Sequence, residues 1–332
     1  MFHKGLKILE ARVGIETNEK ALLPQFPLKT EVQSLLTDFN DVQEIPYSSA
    51  LDGYISVKEE QTQEASIEFS VENLRLRGPF IKFSKEASDK RFSLWGNQGL
   101  LFRYLLFLLE TRHQIFSIHG CALLQEEHNR LYLVVGSAGS GKTVYLLSGL
   151  EKGLRLFSAE LVHFRIKKGS IEWLLGALID NVRIGTLRHH FPRFRPDIHL
   201  PETQDEWQEK IALDLSTHKS KKEAILNPEI VIIFPRIEDG RQGFHLIPIE
   251  ERRKTVKLIF DNISQKIAET VILYDKIPFA GFDNTRNAQT RLNTVKGLTQ
   301  HSTFMTAAAV LSNPHECWGN LLANSNKGEN NG

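Results

Sequence analysis

Apolar and polar positions alternate with a period of two through much of the first 95 residues. RVGIET at 12–17, DGYISVKE at 52–59, ASIEFSV at 65–71, GPFIKFS at 78–84 and RFSLW at 91–95 each read as strands by that alternation and their branched content. EVQSLLTDFNDVQE at 31–44 reads instead as one short helix, and the charged stretch near 56–65 predicts exposed hairpin connections. From about residue 96 the pattern changes. Residues 97–112 are apolar on nearly every face, which predicts a buried helix rather than a surface one. Strands are predicted at 115–124, 130–136, 154–166, 170–176 and 229–237, with helices at 142–152, stopped by Gly153, and at 249–264, after the break at Pro248. Strand, loop and helix recurring in this order predict an α/β core. The chain is therefore expected to comprise a β-rich region at 1–95, a candidate for substrate binding, an α/β domain at 96–323, and a disordered polar tail at 324–332.

The chemistry lies where one strand meets one helix. LYLVVGSAGSGKT at 131–143 is an apolar run that stops at a glycine-rich loop. Gly136, Ser137, Ala138, Gly139, Ser140, Gly141, Lys142 and Thr143 fit G-x-x-x-x-G-K-[ST] at every defined position, after a predicted strand and before a predicted helix. Glycines let successive amide N–H groups converge on phosphate oxygens. The helix that follows adds unpaired N–H groups and its positive end. In this pattern Lys142 reaches the β- and γ-phosphates and the Thr143 hydroxyl meets Mg²⁺. The alternative is a tight strand-to-helix turn that only needs glycine.

Composition narrows the setting. Of 332 residues 41% are hydrophobic and 24% charged, with a net charge of +1, so the chain has a globular balance and no electrostatic footprint for nucleic acid. The two cysteines stand far apart, which argues against a disulfide framework and suits a reducing cytoplasm. No stretch has signal-peptide character at the start, and GLLFRYLLFLLE at 99–110 is too short to span a bilayer and carries Arg103. A cytoplasmic protein without a membrane span is expected, and its oligomeric state is left open.

A phosphate loop alone does not separate kinases from GTPases, transporters or helicases. EIVIIFPRIED ends in Phe234-Pro235-Arg236, with no acid where Mg²⁺ would need one, and Glu238 and Asp239 come late. GTPase N-K-x-D and transporter L-S-G-G-Q signatures are absent from the sequence. EKGLRLFSAE at 151–160 ends in Ala159 and Glu160, and IHGCALL at 118–124 precedes the loop strand. With the loop between them, these segments resemble the HPr kinase-like P-loop kinases, which share their core with phosphoenolpyruvate carboxykinase. The resemblance continues through PEIVIIFPRI and HLIPIEERRKTVKLIF and covers residues 115–265. The first 95 residues are similar to the β-rich lead segment of shorter kinase relatives.

The resemblance implies a P-loop kinase fold that uses ATP and Mg²⁺ to transfer the γ-phosphoryl group to a hydroxyl, that of a serine, free or within a peptide or protein. It implies Gly136 to Thr143 as the nucleotide loop, His119 close to the phosphates, catalytic roles for His119, Lys142 and Glu160, and Thr143 with Glu160 at the metal. The family carries two adjacent acids where this chain has Ala159 and Glu160, the first of them near the acceptor hydroxyl. An alanine can neither accept a proton nor touch a metal. Either Glu160 works alone, or the protein is a nucleotide-binding pseudokinase or scaffold, or an acid at 159 has been exchanged. A regulatory ATPase or GTPase is a third class of function. The family's later Arg- and Gly-rich signature has no clear counterpart, although DNVRIGTLRHH at 180–190 occupies its place.

Other polar stretches carry two readings each. His119 lies on an apolar strand and reads equally as a hydrogen-bonded core histidine. RHHFPRFRPDIH at 188–199 matches no zinc spacing. Arg183, Arg188, Arg193 or Arg195 could instead meet phosphate or an acidic substrate, or simply form a solvated basic loop. Lys210 stands where some relatives face a lysine to the active site. HKSKK at 218–222 reads as solvated loop, and PFAGFDNTRN at 278–287 as either a cleft lining or an ordered turn.

Overall fold

A computed structural model of the chain describes residues 1–24, 38–48, 50–194, 200–238, 240 and 242–322. The strands are β1 (Phe2–Ile8), β2 (Ala11–Thr17), β3 (Val42–Ile45), β4 (Gly53–Glu59), β5 (Ser66–Phe69) and β6 (Asn73–Gly78), followed by helices α1 (Phe80–Glu86) and α2 (Leu100–His113). Then come β7 (Phe116–Gln125), β8 (Arg130–Val135), α3 (Lys142–Glu151), β9 (Arg155–Ser158), β10 (Leu161–Lys167), β11 (Ser170–Leu174), β12 (Ile179–Arg183) and β13 (Lys210–Asp214). The rest are β14 (Ala224–Leu226), β15 (Glu229–Ile237), β16 (His245–Pro248), α4 (Arg252–Ala268), β17 (Val271–Leu273), β18 (Ile277–Phe279), α5 (Thr285–Gln300) and β19 (Phe304–Ser312). The architecture is mixed α/β, with mixed rather than purely parallel sheets.

Two compact units emerge, Met1–Phe116 with Ile263–Arg291, and Ser117–Asn262 with Leu292–Gly332. They do not divide at the change of pattern near residue 96. The reason is α2, which packs with the β-rich sheet of the first unit: Tyr104 and Phe107 meet Phe69 edge-on, and the Tyr104 hydroxyl fills the space beside Gly53. That sheet has the order β3-β1-β2-β4-β6-β5, and its alternation buries Leu6, Ile8, Val13, Ile15, Ile55, Val57, Leu74 and Leu76.

Two buried arginines complete the first unit. Arg103, in the middle of apolar α2, donates to the carbonyls of Gln98 (3.1 Å) and Lys266 (2.7 Å) and lies 3.3 Å from the Glu269 carboxylate. It thus meets the negative end of α4, which explains a cation in a core helix. Arg291 is saturated: it makes a bidentate pair with Glu110 at 2.9 Å, a second pair with Asp283 at 3.1 Å, and a bond to Ser264 at 3.0 Å. PFAGFDNTRN belongs to this core, with Phe279 against Phe282, and Phe282 against Tyr104 and Phe107.

The second unit is built on a sheet of order β14-β11-β10-β7-β8-β15-β19-β16, with β9 paired to β7. β8, β15 and β19 run parallel, while β7 and β16 are antiparallel to their neighbours β8 and β19. Trp318, after β19, stands edge-on to Tyr132 and Tyr145 and donates from its indole N–H to the Tyr145 carbonyl at 3.0 Å, fixing α3 against the sheet.

Several elements differ from the sequence reading. GPFIKFS forms helix α1 rather than a strand, because Phe80 and Phe83, three apart, bury one helical face. RFSLW holds a short 3₁₀ turn, Lys90–Phe92, capped by the Asp89 carboxylate accepting from the Arg91 N–H. The long strand expected at 154–166 breaks into β9 and β10, where Ser158 Oγ donates to the Leu161 carbonyl at 2.6 Å and closes a turn over Ala159-Glu160. Of the helix expected at 31–44, residues 31–37 lie outside the described residues and Val42–Ile45 is a strand. The tail at 324–332 also lies outside them. Among the described residues no helix is long and apolar enough to cross a membrane.

Candidate functional site

The glycine-rich loop leaves the carboxyl end of β8 and enters α3, beside the carboxyl end of its parallel neighbour β15. Ligand sites of α/β sheets collect at such strand ends. Gly139 and Gly141 have φ of +80° and +102°, and a Cβ on Gly141 would lie 2.3 Å from Ile237 Cγ1. The glycine at 141 is therefore demanded twice, by backbone conformation and by contact with β15. The first intrahelical bond of α3 runs from the Tyr145 N–H to the Gly141 carbonyl, so the N–H groups of Lys142, Thr143 and Val144 have no acceptor within the helix. Lys142 Nζ donates to the carbonyls of Gly136 (2.9 Å) and Ser137 (3.1 Å), which holds its ammonium over the loop.

This loop forms one wall of a cleft of about 460 Å³, and His119, Ala159, Glu160, Asp180, Arg183 and Lys210 line it too. His119 sits on β7, where Asn262 of α4 grips its backbone twice: the His119 N–H donates to Asn262 Oδ1 at 2.8 Å, and Asn262 Nδ2 donates to the His119 carbonyl at 2.9 Å. Its ring Nε2 lies 3.6 Å from Glu160 Oε2. The Gly120 N–H also donates to the Glu160 carbonyl at 3.0 Å, so β7 holds both the backbone and the side chain of the residue. Ala159 is buried beside it, its N–H donating to the Ala177 carbonyl at 2.8 Å.

Sequence reasoning missed a second acid. Asp180, on β12, is buried in the same cleft, and its Oδ2 has no hydrogen-bond partner among the described residues. The signal was present in ALIDNVRIG: on this strand the inward positions are Asp180 and Val182, so a carboxylate occupies a place where alternation calls for an apolar residue. Burial, and then the charge of Glu160, push the Asp180 carboxyl up to about 7, against the Thr143 hydroxyl that donates to it and the charges of Lys210 and Lys142. Glu160 goes the other way. Burial alone would raise it, but the His119 ring, Lys142 and Lys210 outweigh that and hold it below the usual carboxylate range.

The cations have their own order. Arg183 and Lys210 are direct cross-strand partners on β12 and β13, and Arg183 Nη2 comes within 3.9 Å of the space beside Gly139. Like charges directly opposite in a ladder destabilise it unless something sits between them. Arg188 and Arg193 are placed elsewhere. Arg188 is ion-paired with Glu206, which also accepts from His189 Nε2 at 2.6 Å, and Arg193 lies in a separate depression beside Glu151 and His315. Arg195 lies outside the described residues. Among the described residues no group of three or more His, Cys, Asp or Glu is arranged to hold a metal. At the end of β15, Glu238 pairs with Arg236 at 2.9 Å. Cys121, buried on β7, has its thiol pushed up chiefly by burial and is inert as a nucleophile at neutral pH.

No family model and no curated protein matches the chain. The site combines a glycine-rich loop opening onto a helix N-terminus, two carboxyls pushed apart in acidity, and three cations lining one cleft.

Proposed function

We propose that the chain is an Mg²⁺- and ATP-dependent kinase of the HPr kinase type, moving a γ-phosphoryl group to a hydroxyl, that of a serine, free or within a peptide or protein. One observation carries the reading: the phosphate loop shares its cleft with a divergent acid pair, Glu160 and Asp180. Phosphoryl transfer asks a protein mainly for positioning and charge neutralisation. Two titratable groups whose surroundings drive them in opposite directions supply one fixed charge and one proton acceptor.

The residues present fit a hydrated Mg²⁺, which takes one or two protein oxygens and keeps its remaining positions for water and phosphate. The Thr143 hydroxyl and the ionised Glu160 carboxylate would hold it. When bound, the metal draws charge from the β- and γ-phosphate oxygens. The loop amides and the first turn of α3 would grip the phosphates, with Lys142, Arg183 and Lys210 balancing their charge. Asp180 takes the part that an acid at 159 would play. As the acceptor oxygen forms its bond to the γ-phosphorus and the bond to the departing ADP breaks, the hydroxyl proton passes to the Asp180 carboxylate. His119 holds Glu160 in place.

Ala159 favours a second reading, a nucleotide-binding scaffold without transfer. Incubation with γ-labelled ATP and free serine or serine-bearing peptides separates the two: label moves to the hydroxyl in the first and stays on the nucleotide in the second. Thr143→Ala is expected to slow transfer by about a hundredfold, the loss of roughly 3 kcal/mol of charge stabilisation. Transfer at the wild-type rate would remove Thr143 from the metal site.

A further inference from the structure

The lining of the cleft is both polar and aromatic. Glu160, Asp180 and His119 belong to the polar part, and Trp207, His190 and Pro314 also line it. The His190 ring lies 6.0 Å from the Trp207 indole and 5.6 Å from the ring of His315, the residue after Pro314. Trp207 rests over Gly185, where a Cβ would come within 2.8 Å of the indole Cδ2, so the backbone there must be bare for the ring to lie so close. The His189 imidazole stacks on the same indole at 5.7 Å and 21°. Although held from the protein side in this way, Trp207 is 43% exposed, an unusual state for a tryptophan unless its open surface meets a partner.

We propose that Trp207, backed by His190 and Pro314, is the nucleobase-stacking wall of the cleft. This rests on the nucleotide reading of the loop and extends it to the far end of the ligand. A nucleoside triphosphate combines the same two chemistries as the lining. Its phosphates belong with the loop, Lys142 and Arg183, which leaves the flat base for the indole. Stacking on an indole is tolerant of base identity, because every base has a π-face. The wall therefore favours nucleotides over bare polyphosphate without choosing strongly between adenine and guanine.

Calorimetric titration of the full chain with ATP, GTP and inorganic tripolyphosphate, Mg²⁺ present, tests this. Wild type is expected to bind both nucleotides more tightly than tripolyphosphate. Trp207→Ala should weaken ATP and GTP by about tenfold each and leave tripolyphosphate unchanged, with Trp207→Phe recovering most of the loss. ATP binding by the alanine variant at wild-type strength, or an equal loss for tripolyphosphate, would overturn the stacking wall while leaving the phosphate loop intact. Uptake of none of the three by folded wild type would overturn both.

Discussion

Asp180→Asn is expected to lower phosphoryl transfer by about a thousandfold, roughly 4 kcal/mol of barrier, while nucleotide affinity stays essentially unchanged. The substitution keeps the shape and polarity of the side chain and removes only its capacity to take a proton. Rate and affinity thus separate the roles in the site: loss of Asp180 acts on the chemical step, loss of Lys142 on nucleotide binding as well. The same variant carries a pH signature. In the folded chain the Asp180 carboxyl is raised from 3.8 to about 7, so between those values the folded state keeps a proton that the unfolded chain has lost. Stability contributed by this residue therefore falls as pH rises from about 4 to about 7, and stays low above that. The amide of the variant does not titrate and escapes the penalty. Thermal melts should find Asp180→Asn more stable than wild type at pH 8 and equal to it near pH 4. A variant less stable at pH 8, with transfer intact, would mean that Asp180 is a structural hydrogen-bonding residue.

Glu110→Ala should destabilise the first unit by about 3–5 kcal/mol, the cost of leaving a buried charge without its partner. Arg291 has no exposure of its own and depends on Glu110 and Asp283 for compensation. Burial raises the Glu110 carboxyl and the Arg291 guanidinium draws it back, so each charge depends on the other. Replacing both with apolar residues, Glu110→Leu with Arg291→Met, should recover most of the loss, because the pair contributes less than its halves cost when separated. Urea denaturation of the wild type and the two variants checks this. A double variant as unstable as Glu110→Ala would mean that the bonds to Asp283 and Ser264, rather than charge pairing with Glu110, hold this corner.

Much of the second unit was legible because its signals are local. The strand before the loop, the loop and the helix after it lie in one continuous stretch, and β8 and α3 form within a residue or so of their expected bounds. β7, β11 and β15 followed from apolar runs in the same way. What failed was information carried by distant contacts. β12 and β13 pair with each other across 26 intervening residues, and neither is apolar enough to stand out alone. Asp180 and Trp207 come to the cleft through that hairpin. In sequence Asp180 is one polar residue in a mixed stretch; only burial and the nearness of Glu160 and Thr143 give it a role. Arg188 illustrates the reverse, since its density of charged neighbours suggested phosphate but Glu206 takes it. Residues 1–95 read as β-rich and hold the six-stranded sheet, but α1 escapes because a short amphipathic helix and a strand of seven residues share too few positions for periodicity to separate them.

The most direct measurement is the uptake of ATP by folded wild type and by Lys142→Ala, followed calorimetrically with Mg²⁺ in excess. One equivalent should bind to the wild type, with the alanine variant at least tenfold weaker, because the ammonium held over Gly136 and Ser137 is the cation nearest the loop. Equal binding by the two proteins, or no heat from either ATP or GTP with well-folded wild type, would contradict a phosphate site between Gly136 and Thr143.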